Sequence, residues 1–140
     1  MSVLVIDASV AAKWFFEEIH SQCARRIRGM RVAMHGPEIL LLEMDNVLVK
    51  RVRRGEITSA QAKDIGGCMR RLPIRLHGLA PLSDLAYDLA VQERLSVYDS
   101  LYLALAVRLN TKTVTADRKL ERALRSGPFT KHLLWVEDIP

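Results

Sequence analysis

From residue 3 to residue 136 the chain alternates short apolar runs with longer stretches of helical period, a pattern that points to an α/β domain on a mainly parallel sheet. The first run, 3–6, places aliphatic and β-branched residues side by side with no polar alternation, as a strand buried on both faces does, and Asp7 ends it. Further runs at 31–34, 74–76, 113–115 and 133–136 bring the expected strands to five. Helical pattern covers 9–16, 20–28, 37–54, 58–72, 84–95, 99–109 and 117–124. Pro37 is expected to open the third helix, whose inward stripe is Leu40, Met44, Val47 and Leu48, and Gly55 to stop it. Thr58 with Gln61 has capping-box spacing, and Ser83 and Asp117 stand as N-caps for 84–95 and 117–124. The stretch 99–109 is apolar almost all round, so it must be buried. The expected fold is a three-layer α/β/α sandwich around a central, mainly parallel five-stranded sheet, one domain over 1–140, with ligands beyond the carboxyl ends of the strands.

Composition narrows the class. With 49% hydrophobic and 26% charged residues the chain is neither disordered nor collagen-like nor a coiled coil. It shows no apolar run near the roughly 20 residues that span a bilayer and no basic-flanked leader, so a soluble, cytoplasmic protein without membrane contact is expected. Cys23 and Cys68 lie apart from each other and from any histidine at ligand spacing; both read as small core residues. The net charge of +5, with basic clusters at 25–31, 50–54, 70–75 and 118–125, suits a polyanionic partner, although each cluster alone is as well explained by a solvated helix face.

Four carboxylates stand at positions that invite chemistry. Asp7 leaves the first strand at its carboxyl edge, and Asp117 follows the strand 113–115 in the same way; either could simply cap a helix. Asp99 sits in the first turn of the most apolar helix, where the helix dipole favours a negative charge. Glu43 interrupts the run 39–44, and an unpaired carboxylate buried there would cost several kcal/mol. Either Lys50, on the same helix face, or a cation compensates it. Each acid alone has an ordinary explanation, but all four together on strand ends and an apolar helix are better explained by convergence.

Converging carboxylates repel, and divalent cations relieve that repulsion. An all-oxygen ligand set selects hard ions, magnesium or manganese, while His20, His35, His77 and His132 have no paired spacing for zinc and read as surface or incidental residues. Such a site suits phosphodiester hydrolysis, in which the metal activates and orients a water and neutralises the leaving oxygen.

At this point the residues resemble a known family, the PIN-domain nucleases, and within it the VapC-like toxins of type II toxin-antitoxin systems. The resemblance covers nearly the whole chain. It rests on Val5 to Ser9; Pro37 and Glu38; Leu42 and Glu43 through Asn46, Val47 and Leu48; Arg54 and Gly55; Tyr98 to Ala106; and Thr113 to Asp117, in that order and spacing. It implies that Asp7, Glu43, Asp99 and Asp117 are the catalytic, metal-holding quartet, with Ser9 and Thr115 as hydroxyl partners and Asn46 as a supporting amide. It further implies an endoribonuclease toxin cleaving RNA, a homodimer, and a cognate antitoxin that blocks the acidic pocket. Asp45 is an additional acid on another side of the helix, read as a surface or backing residue. Trp14, Phe15 and Phe16 read as core or as a dimer face, though an exposed ring could stack an RNA base.

Two other magnesium-using designs fit poorly. A receiver-like domain needs paired acids after the first strand, and a haloacid-dehalogenase-type phosphatase needs a second aspartate two residues on; Ala8 and Ser9 stand there instead. The serious alternative is a PIN-type domain that binds RNA or a partner and hardly cleaves.

Overall fold

Strand β1 (Ser2–Ile6) becomes the middle of the sheet because Val5 and Ile6 have to be covered on every side, and both are fully excluded from solvent. In the computed structural model, which describes residues 2–140, β2 (Val32–Pro37) lies on one side of β1 and β4 (Lys112–Thr115) on the other. Outside them lie β3 (Ile74–His77) and β5 (Leu133–Trp135), giving the order β3-β2-β1-β4-β5 with every pairing parallel. The chain thus builds outward from β1 to β3, then returns to build the other way from β4. Strand order reverses between β1 and β4, the place where open α/β sheets carry their ligand crevice.

The helices complete a three-layer sandwich: α1 (Ala8–Ala11), α2 (Ser21–Arg26), α3 (Ile39–Arg53), α4 (Ser59–Arg71), α5 (Ala80–Glu93), α6 (Val97–Arg108) and α7 (Arg118–Leu124). Helix α6 packs on β1, β2 and β4 and is itself covered by α5, so Ser100 to Ala106 are all buried. That double covering is why its sequence lacks a polar face. Residues 12–14 continue α1 as a 3-10 turn, and Phe16 is buried while Trp14 and Phe15 pack at the margin of the core.

The predicted punctuation holds at three helix ends, one of them the Asp117 cap of α7. Gly55 takes φ +73°, with its N–H bonded to the Val52 carbonyl and the Glu56 N–H to the Arg51 carbonyl, a Schellman ending. Thr58 and Gln61 form a reciprocal capping box at the start of α4.

Elsewhere the structure corrects the sequence reading. Pro37 does not open α3; it ends β2, opposite His77, and the helix starts at Ile39. Ser83 is not an N-cap, because α5 already begins at Ala80 with Pro81 in its first turn, and the Ser83 hydroxyl donates back to the Ala80 carbonyl. Cys68 is exposed rather than a core residue. His132 is buried, its Nδ1–H donating to the Thr111 carbonyl at 2.8 Å. His35 and His77, on neighbouring strands, stack with ring centroids 5.1 Å apart. Among the described residues no helix is long and apolar enough to cross a membrane.

Candidate active site

Asp7 stands at the carboxyl end of the central strand, in the N-cap position of α1, yet its side chain caps nothing. Instead its Oδ2 accepts two hydroxyl hydrogen bonds, from Ser9 at 2.7 Å and from Thr115 at 2.8 Å. Thr115 ends β4, the strand beside β1, so the sheet itself brings this hydroxyl across 108 positions of sequence. Each hydroxyl is held in turn: Ser9 Oγ accepts the Ala116 N–H, and Thr115 Oγ1 accepts the Asp117 N–H, both at 3.0 Å. Asp7 is therefore fixed by hydroxyls whose own orientation is set by the β4–α7 turn.

Glu43 lies half-buried on α3, and the hydrogen bond that compensates it comes from α6. The phenol of Tyr102, itself fully buried, donates to Glu43 Oε1 at 2.5 Å. Lys50 does not pair with it; among the described residues no Lys, Arg or His forms an ion pair with Asp7, Glu43, Asp99 or Asp117. The extra acid of this helix, Asp45, turns to Arg70 in a bidentate pair away from the site. Asp99 occupies the first turn of α6, its N–H bonded to the Ser96 cap, and Asp117 caps α7 by accepting the Lys119 N–H. For Asp117 the capping role is thus real, and it coexists with proximity to Asp99.

The electrostatics link the four acids. Burial raises Asp7 from the usual 3.8 to about 7, opposed by its two hydroxyl bonds and reinforced by the charges of Glu43 and Asp99. Burial likewise raises Glu43, against the Tyr102 bond and with the charge of Asp99. Asp99 is raised by burial and by the neighbouring charge of Asp117. Tyr102 is pushed far up by burial and by the two carboxylates it faces, so it stays a donor. Among the described residues no three Asp, Glu, His or Cys side chains already close on one point as ligands of an ion do. Asp7, Glu43 and Asp99 are mutual neighbours, and Asp117 reaches the group through Asp99.

This donor set suits a hard divalent cation. Its charged donors are carboxylates, three of the acids are disfavoured as anions, and among the described residues none of the four is ion-paired, the Lys119 charge only partly offsetting Asp99. Ser9 lies inside the site as expected, bonded to Asp7, and so does Thr115. Asn46 is exposed, one helical turn beyond Glu43, and lines a cavity with Glu43 and Ser9. Tyr102 was legible only as part of an apolar helix; the signal for it was its spacing three residues after Asp99, which puts both on one helix face.

Known proteins share this arrangement of strands and helices. The PIN domain family model matches residues 4–125. Ribonuclease VapC3 of Pyrobaculum aerophilum is 30% identical over 119 residues, 84% of this chain and 91% of that protein. Ribonuclease VapC3 of Mycobacterium tuberculosis is 31% identical over 124 residues, 89% of each chain. Among solved structures, a Pyrobaculum aerophilum protein superposes with TM-score 0.70 at 24% identity, covering 97% of this chain and 85% of that one. VapBC2 from Rickettsia felis, bound to a DNA fragment from its promoter, does so with TM-score 0.66 at 11% identity, covering 95% and 98%; likenesses at this level of identity speak for the fold.

Proposed function

Because this chain belongs to the PIN-domain family, we propose that it is a divalent-metal-dependent ribonuclease, an endoribonuclease toxin of the VapC kind held in check by a cognate antitoxin. The observation that carries this reading is Asp7: a buried carboxylate with two oriented hydroxyl donors, neighbouring acids and, among the described residues, no ion-paired side chain to balance it. Asp7, Glu43 and Asp99 would hold magnesium or manganese, with Asp117 completing the group. When bound, such an ion lowers the pKa of water and neutralises charge on the leaving oxygen of a phosphodiester.

The chain's own residues prepare that chemistry. Ser9 and Thr115 fix the Asp7 carboxylate and favour its ionised form. Tyr102 does the same for Glu43 and, being held protonated, cannot compete as a base. Asn46 offers an amide at the rim. The ribonuclease relatives and the toxin-antitoxin complexes of the same fold support RNA as substrate and a small protein as inhibitor. A homodimer acting in the cytoplasm completes the reading.

The experiment is cleavage of total RNA by purified protein with and without magnesium or manganese, with new ends mapped. Cleavage that requires the ion and disappears in Asp7→Asn, while fold and RNA binding persist, is the expected result. Metal-independent RNA binding without cleavage would favour the binding-module alternative.

A further inference from the structure

Beside the acids opens a cavity of about 370 Å³ whose walls include Ser9, Lys13, Glu18, Glu43, Asn46 and Lys50. One wall is acidic and belongs to the site already described. The other is basic and has no part in it. Lys13, on the 3-10 turn after α1, is only 7% exposed, a rare situation for an ammonium group. Its single recorded partner among the described residues is Glu18 at 3.3 Å, and Glu18 already receives Arg51 on its other oxygen at 2.5 Å. Arg51 is also paired with Glu56 at 3.1 Å, so the unbalanced charge at the cavity is that of Lys50, which has no ion-pair partner among the described residues. Lys50 follows Glu43 by seven residues, two turns along the same face of α3, with Asn46 between them. The lining carries no aromatic ring, so it is built for a charged group and not for a stacked base.

We propose that this cavity is a phosphate subsite for RNA: it holds the phosphodiester adjacent to the one at the acids, with Lys13 and Lys50 as its cationic contacts and Asn46 as an amide donor. The inference rests on the ribonuclease reading and adds to it where the strand runs, from the acidic wall toward the start of the cavity's basic wall. Glu18 is held by Arg51 when Lys13 turns to the phosphate, so its charge stays balanced.

The test separates binding from cutting. On the Asp7→Asn background, a labelled single-stranded RNA oligonucleotide is titrated over a range of salt, so that the subsite is read whether or not the parent protein cleaves. Lys50→Ala and Lys13→Met are each expected to weaken binding roughly fivefold and to flatten the plot of log affinity against log salt by about 0.7 per lost contact. Lys50→Arg and Lys13→Arg should retain most of both. In the cleaving protein the same variants should raise KM and leave kcat within about twofold, as loss of uniform binding does. Unchanged affinity and slope in Lys50→Ala and in folded Lys13→Met would overturn the subsite even if the wild type cleaves. Because Lys50 is exposed, its variant decides the matter if Lys13→Met does not fold. Wild-type protein that cuts no RNA under any divalent ion, with the binding results as expected, would instead remove the ribonuclease reading and leave the phosphate subsite.

Discussion

The phenolic hydroxyl of Tyr102 donates to Glu43 across the gap between α6 and α3, so the most apolar helix of the molecule supplies a side-chain bond that orients a candidate metal-holding acid on another helix. Tyr102→Phe keeps the ring and removes only that donor. Glu43 should then be less stable by roughly 1–2 kcal/mol as an ordered acceptor, and its carboxyl should titrate still higher, because the Tyr102 bond is what lowers it. The expected outcome is a higher metal concentration for half-maximal cleavage, most pronounced at acid pH. Metal titrations of wild type and variant at two pH values check it; identical curves would count against the role.

Thr115 ties Asp7 to Asp117 through one oxygen, donating to the first side chain and accepting from the second backbone. Thr115→Val preserves the shape and deletes both bonds. We expect a 10- to 100-fold weaker apparent metal affinity, the usual scale for residues that orient ligands. Calorimetric titration with manganese reads this directly.

The pH dependence of stability follows from Asp7. Its folded pKa, about 7, lies above the unfolded 3.8, so the folded state binds the proton more tightly than the unfolded one. This contribution is fully present below about pH 4 and is lost as pH rises toward 7, by up to roughly 4 kcal/mol; Glu43 and Asp99 act in the same direction. Metal-free protein should therefore lose melting temperature between pH 5 and 7.5, and Asp7→Asn should flatten the decline. Saturating magnesium or manganese should restore it by mass action. A metal-free Tm that is level across this range would contradict the burial of Asp7 as an acid without a counter-charge.

Thr58 provides a control remote from the acids. Thr58→Ala breaks the capping box of α4 and should cost about 1 kcal/mol, a fall of about 3 to 5 °C in Tm for a domain of this size. Cleavage kinetics at a temperature where the variant is folded should match wild type.

The parts of this molecule that a sequence displays best are those where burial leaves a mark on every residue. Residues 3–6 and 99–109 announced the central strand and the covered helix because apolar residues fill nearly every position there. Element ends were harder. Pro37 suits both a strand's last residue and a helix's first, and only pairing with β3 decides between them; Ser83 has cap chemistry but Pro81 lies upstream and starts the helix sooner. In the candidate site, the acids were visible as polar residues in forbidden places. Their support was legible only in part: the resemblance pointed to Ser9 and Thr115, whose hydroxyls reach Asp7 once β1 lies against β4, but Tyr102 hides in an apolar helix. Nothing in the sequence marked Lys13 as buried; the turn after α1 folds it inward.

The pairing of β1 with β4 has a consequence for how such a protein is made. The hydroxyl that steadies Asp7, and the strand that carries it, lie 108 positions further along the chain and are synthesised after it. A nascent chain therefore cannot assemble the acidic group until β4 has been made and has paired with β1.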